Sequence, residues 1–195
     1  MTALTDRFPE ALVYCAHIHR TQTSKGKPTP YVAHLLSTAA LVLEDGGDED
    51  EAIAALLHDS LEDQPDKTSP EDIRRRFGDR VATLVAACSD TPPDYRGGPK
   101  APWRQRKEAY LRHVRSGASG ALRVSLADKV HNTRDMLADF RKEGNDMWGR
   151  FNAGKADQLW YLRSLVVAFR QGGAQGPLLD ELDRVVSELE RLAAA

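Results

Sequence analysis

Cysteine is scarce, runs of alternating β-branched residues are lacking, and no apolar stretch approaches the length of a membrane span. Only Cys15 and Cys88 occur, each inside an apolar helical pattern. They read as reduced core thiols rather than a disulfide framework, which points to the cytoplasm. The apolar runs fall far short of the ~20 residues that a bilayer-spanning helix needs. Asp6 and Glu10 interrupt the N-terminus before any signal-type apolar core can form. A membrane partner is therefore not expected. Charge of one sign is lacking too: 27 basic and 29 acidic residues leave a formal net charge of -2. That balance offers no electrostatic case for a nucleic-acid partner.

What is there suits one soluble globular domain spanning residues 1–195. The 41% hydrophobic and 29% charged content over 195 residues is enough to bury a single core. Every convincing periodic segment has helical spacing, so the fold class expected is all-α, a bundle of about eight to ten helices. Helices are expected over about Pro9–Thr21, then from a Thr29 cap with Pro30 at the first position to a stop at Gly46-Gly47. Asp48 followed by Glu51 makes a capping-box-like start for the next helix. Ser69-Pro70 opens a short helix ended by Gly78, and Asp79 caps the one running through Cys88. Thr91–Pro102, with four prolines and two glycines, reads as a functional loop or lid rather than a domain boundary. Trp103–Arg115, Ser119–Arg141 and Lys155–Arg170 follow as helices. The last helix, about 177–193, strings Leu178, Leu182, Val185, Leu189 and Leu192 along one packing face.

The stretch on which the chain turns is Ala52–Asp63, AIAALLHDSLED. As one helix it would set His58, Asp59, Glu62 and Asp63 within an arc of roughly 140° and leave Ile53, Leu56, Leu57 and Leu61 the rest. A helix apolar on most of its circumference belongs in the interior. Four ionisable groups there require partners, and a divalent cation is the best physical candidate. A helix end that simply surfaces would explain Glu62 and Asp63, but not His58-Asp59 a turn earlier.

A metal site draws ligands from several elements, and two further candidates exist. His34 sits one turn inside a helix that should be apolar on that side. Taken alone, a histidine there is more often a satisfied core residue. Asp128 lies amid Leu126, Ala127 and Val130, where an aspartate is costly unpaired. Asn132 and Asp135 continue its stripe, which could equally be a solvated face beside Lys129 and Arg134.

Taken together, the order H…HD…ED…D resembles the HD superfamily of metal-dependent phosphohydrolases. More narrowly, PYVAHL, AALLHDSLED and SLADKVHN are similar to the hydrolase domain of RelA/SpoT-type alarmone enzymes. The resemblance covers roughly residues 19–161. With no synthetase domain following, it implies a free-standing small alarmone hydrolase. It makes His34, His58, Asp59 and Asp128 the ligands of one metal ion, manganese in that family, a mixed N/O set with open positions. Glu62 and Asp63 match the acidic pair that handles the nucleophilic water, with Glu62 favoured as the base. Asp63 would then orient the water or protonate the departing pyrophosphate. Asn132 matches a substrate-contacting asparagine, and Lys25 falls in the loop that reaches the nucleotide. The arginine that usually precedes this lysine is Ser24 here, and Pro28 and Thr29 also depart from the family's loop.

The small-molecule nucleotide implied by the resemblance carries phosphate charge beyond what one ion neutralises. WRQRKEAY supplies Arg104, Arg106 and Lys107, of which Arg106 and Lys107 resemble a phosphate-contacting position. A solvated basic face accounts for each singly. Tyr161 resembles a tyrosine lining the nucleotide pocket, with Trp160 as the alternative. Trp103 and Trp148 are expected to pack, and Arg74, Arg75 and Arg76 to face solvent. The activity implied is hydrolysis of the 3′-pyrophosphate of guanosine or adenosine tetra- or pentaphosphate, with water activated by the metal. The alternatives are another HD-type phosphomonoesterase, acting on a nucleoside monophosphate or the 2′-phosphate of NADPH, and a non-catalytic alarmone-binding module.

Overall fold

A computed structural model of the chain describes residues 3–88, 101–117 and 120–194. Among them lie ten α-helices, one 3-10 helix and no β-strand, as the helical periodicity requires. The backbone divides into two compact units. The first comprises residues 1–95 with Arg123–Asp128, and the second 96–122 with 129–195.

In the first unit the order is α1 (Arg7–Ile18), α2 (Val32–Glu44), α3 (Glu49–Leu57), α4 (Ser60–Asp63), α5 (Pro70–Phe77) and α6 (Asp79–Cys88). Helix α3 is the axis, packed against α1, α2 and α6. Ala52 through Leu57 are all inaccessible to solvent. Full burial of each large side chain in that run contributes about 1.5–3 kcal/mol. Asp48 starts α3 with a complete capping box: its carboxylate accepts from Glu51 N–H, and Glu51 accepts from Asp48 N–H, both at 3.0 Å. Ser69 likewise caps α5, with Pro70 next and Gly78 ending the helix at φ +90°.

The first helix runs Arg7–Ile18 rather than Pro9–Thr21, ending where His19 N–H donates to Cys15 O. Two further expectations about helix ends need correction. Thr29 and Pro30 do not open α2. Pro30 pairs with Thr23 in an isolated bridge, and Ser24 N–H donates to Thr29 O at 2.9 Å, so this segment stays extended and the helix begins at Val32. Nor is Ala52–Asp63 one continuous helix. His58 and Asp59 stand at a break, because side chains take the carbonyls that end α3. His58 Nδ1–H donates to Ala55 O at 2.8 Å, and Ser60 Oγ–H donates to Leu57 O at 2.6 Å.

A six-residue piece of α8 (Leu122–Glu143) joins this unit and is tied down at Arg123. Its guanidinium donates to both oxygens of Glu51 at 2.7 and 2.8 Å, and to Asp45 Oδ2 at 2.9 Å. Gly47 makes the space: a Cβ there would meet Val42 Cγ1 at 2.5 Å and Arg123 Cδ at 3.1 Å. This anchor sets the register in which Asp128 arrives.

The second unit holds α7 (Trp103–Ser116), the remainder of α8, the 3-10 helix Gly144–Arg150, α9 (Lys155–Gln171) and α10 (Pro177–Ala194). Helix α9 packs between α7 and α10. Leu178, Leu182, Val185 and Leu189 are buried as expected, whereas Leu192 is half-buried and Ala193 takes the inward place. Most of the segment read as a loop or lid, 91–102, lies outside the described residues. No helix is long and apolar enough to cross a membrane among the described residues.

Candidate metal centre

Three elements of the first unit converge on one point. Helix α2 brings His34, the break after α3 brings His58 and Asp59, and α8 brings Asp128. The His34 and His58 Nε2 atoms are 3.2 Å apart. Asp59 Oδ2 lies 3.0 Å from His58 Nε2 and 3.6 Å from His34 Nε2. Asp128 Oδ1 lies 3.3 Å from His34 Nε2 and 3.6 Å from His58 Nε2. Donors held about 2.0–2.2 Å from a shared ion sit roughly 2.8–3.6 Å from one another at octahedral or tetrahedral angles. The distances of the two imidazoles to each other and to both carboxylates match that spacing, and His34, His58 and Asp59 form a group that could hold a metal ion.

The surroundings prepare these atoms as ligands. His58 donates its Nδ1–H to Ala55 O, which turns Nε2 into the cluster. The Tyr31 hydroxyl donates to Asp59 Oδ2. His34, His58 and Asp128 are each less than a tenth exposed. Burial alone would depress both histidines, yet the carboxylates of Asp59 and Asp128 outweigh it, holding His34 above and His58 well above the ordinary imidazole range. Burial would raise Asp59, but His58 and His34 hold it well below the usual carboxylate range. Two carboxylates packed against two buried imidazoles favour positive charge here, and a divalent cation would supply it.

Beside the cluster, α4 carries the acidic pair. Glu62 is half-buried; Asp63 is more open. The Asp63 backbone N–H donates to Asp59 O at 2.8 Å, which keeps these two residues one turn apart despite the break. Partial desolvation, with the charges of Asp59 and Glu62, holds the Asp63 carboxyl above its usual range, against the lowering effect of a hydrogen bond from Gln22. Cys15, packed in the same core, is a thiol that burial pushes up to about 12, and it is free, as is Cys88.

Lys25 is exposed in the turn that runs from Gln22 to Tyr31, which Tyr31 N–H closes by donating to Gln22 O at 2.9 Å. Arg106, Lys107, Asn132 and Tyr161 belong to the second unit. There Lys107 Nζ stands 5.1 Å from the Tyr161 ring centroid, and Arg106 Nε donates to Ala101 O at 3.2 Å. Asn132 is exposed on α8. Trp103 packs edge-on against Trp160 and Tyr161, and the Arg104 guanidinium covers the Trp160 ring at 3.1 Å. Trp148 is buried, and Arg74, Arg75 and Arg76 face solvent, as expected. Three contributors were missed by sequence reasoning: Tyr31, Gln22 and Arg123. Only Tyr31 had a signal, its place three residues before His34 on the same strip of chain.

The family model described as HD domain matches residues 11–159. The guanosine-3′,5′-bis(diphosphate) 3′-pyrophosphohydrolase MESH1 of Xenopus tropicalis is 35% identical over 130 residues, which cover 65% of this chain and 68% of that protein. The bifunctional (p)ppGpp synthase/hydrolase SpoT of Escherichia coli K12 is 29% identical over 136 residues, 67% of this chain and 18% of that one. A solved structure of a metazoan ortholog of SpoT that hydrolyses ppGpp aligns over 97% of this chain and 98% of that chain, with a TM-score of 0.73 at 27% identity. A family model across most of the chain and relatives of this likeness identify the sequence: it belongs to the HD domain family.

Proposed function

We propose that this protein hydrolyses the 3′-pyrophosphate of guanosine tetra- or pentaphosphate, or of the adenosine counterparts, releasing pyrophosphate and the nucleoside 5′-di- or triphosphate. The observation that carries this reading is the four-donor cluster of His34, His58, Asp59 and Asp128 with an acidic pair one turn away. The MESH1 and SpoT relatives, named for hydrolysis of the guanosine compounds, support the guanosine reading. His34, His58, Asp59 and Asp128 would hold one manganese ion, which when bound lowers the pKa of a nearby water and takes up phosphoryl charge.

The rest of the chemistry falls to the chain's own side chains. Glu62, on the turn after the ligand pair, takes the proton of the attacking water. Asp63 orients that water. Lys25 reaches the nucleotide, Arg106 and Lys107 supply cations for phosphate charge left uncompensated, Asn132 contacts the substrate, and Tyr161 lines the nucleotide pocket. Ser24, where the family usually has arginine, leaves both guanosine and adenosine open as the base. In this reading residues 1–195 form one HD-type domain working in the cytoplasm, where the free thiols of Cys15 and Cys88 are at home.

The test is product analysis. Purified protein loaded with Mn²⁺ should release pyrophosphate, not orthophosphate, from 3′-pyrophosphorylated nucleotides, and an EDTA-treated sample should not. Orthophosphate as product would indicate a phosphomonoesterase instead. Binding without turnover would indicate a sensor.

A further inference from the structure

Asp63 is held by more than its own helix. Gln22 Nε2–H donates to Asp63 Oδ2 at 2.7 Å, while Gln22 Oε1 accepts from Gln64 Nε2–H at 2.6 Å and from His19 Nδ1–H at 2.7 Å. Two donors on Oε1 fix the amide. Flipped, it would set its NH₂ against that of Gln64 and its oxygen against the Asp63 carboxylate. The same accounting fixes His19 as the Nδ1–H form. His19 is 1% exposed, and its Nε2 has no hydrogen-bond partner among the described residues. An apolar side chain would fill that place without leaving a buried nitrogen unsatisfied, so the Nδ1–H bond to Gln22 is the reason for histidine there.

The other face of His19 leads to the metal cluster. Its ring lies 5.7 Å from that of Tyr31, which holds Asp59, and Tyr31 is paired by its backbone with Gln22 across the turn. One buried imidazole and one closed turn therefore support both carboxylates, Asp59 through Tyr31 and Asp63 through Gln22. With Oδ2 occupied by Gln22, Asp63 Oδ1 carries no hydrogen bond among the described residues.

Resting on the hydrolytic reading above, we propose that Gln22, clamped by His19 and Gln64, is a positioning residue for the reaction: it fixes Asp63 through Oδ2 and leaves Oδ1 for the attacking water. Its side chain acts through Asp63 and makes no hydrogen bond to His34, His58, Asp59 or Asp128 among the described residues.

The experiment is a double-mutant cycle on the manganese-loaded full chain, read as steady-state pyrophosphate release. Gln22→Met should lower kcat on the order of tenfold with KM and manganese content unchanged. Gln22→Met combined with Asp63→Asn should be no slower than Asp63→Asn alone, since nothing is left to position. Losses that multiply in the double variant, or a raised KM with kcat intact, overturn the proposal. Gln64→Met removes one of the two donors on Oε1 without disturbing the turn, and should give the same kcat-only loss to a smaller degree. An unchanged kcat there overturns the proposal even where Gln22→Met folds poorly. The wild-type chain separates the two readings. A silent wild type overturns the hydrolytic function itself, whereas an active wild type with multiplying losses overturns only the role of Gln22.

Discussion

Tyr31 gives its hydroxyl hydrogen bond to Asp59 Oδ2, the same oxygen that stands 3.0 Å from His58 Nε2. A phenol so placed orients the carboxylate toward the shared centre and removes none of its charge. Removing the hydroxyl alone, with Tyr31→Phe, keeps the ring that packs between His19 and His34. Manganese affinity should fall about 10–100-fold with the helical signature intact. Calorimetric titration of the chelated protein measures it, and unchanged affinity would remove Tyr31 from the centre.

Asp59→Ala and Glu62→Ala should part ways. The first deletes a donor from a four-donor site, so both metal retention and turnover are lost. The second should keep the metal and lose about 10²–10⁴ in kcat, the range of a positioned general base. Metal analysis beside pyrophosphate release decides. A Glu62→Ala protein with full activity would shift the base assignment to Asp63.

Acid should release the metal, and it should do so early. Without a cation, His34 and His58 hold protons above the ordinary imidazole range because Asp59 and Asp128 face them. Coordination needs both rings neutral, so apparent affinity falls as pH drops, beginning above the usual value of about 6.5. For the chelated protein the sign is reversed. A raised folded-state histidine contributes stability in full below about pH 6.5 and loses it as pH rises through the raised value. Melting temperatures of the chelated chain should therefore decline from about pH 6.5 upward, and added manganese should abolish the decline.

Arg123 anchors the segment that carries Asp128. Glu51 is 7% exposed and takes both its strongest contacts from this guanidinium. Arg123→Met preserves the stem, removes the cation from Asp45 and leaves Glu51 only its hydrogen bond from Asp48 N–H. With Arg123 about a third exposed, the loss should be about 2 kcal/mol, below that of a fully buried pair. At this chain length that lowers the melting temperature by roughly 4–8 °C. Manganese affinity should weaken with it, because Asp128 sits on the freed segment.

Much of this was readable in the chain. The helical spacing, the capping box at Asp48–Glu51 and the costly placement of His58-Asp59 and Asp128 are local features, and local physics dictates them. The order of the motifs, through its resemblance to the HD superfamily, pointed to His34 as the remaining member of the proposed ligand set. The break at His58 was not readable, because periodicity assumes that backbone carbonyls bond backbone amides. Here Ala55 and Leu57 give theirs to the side chains of His58 and Ser60. The start of α2 failed similarly: Thr29-Pro30 has the local form of a cap, and a bridge to Thr23 outweighs it.

By itself, then, the sequence determined an all-α chain and the residue types of a metal centre, since both follow from patterns within a few turns of helix. Only the tertiary structure decided that the His34 and His58 imidazoles stand 3.0–3.6 Å from each other and from the Asp59 and Asp128 carboxylates, and that Tyr31, Gln22 and Arg123 hold them and their neighbours. The reason is distance along the chain. Arg123 lies 72 residues from Glu51, and Gln22 lies 41 from Asp63. No local preference can specify a contact that exists only once the helices have packed.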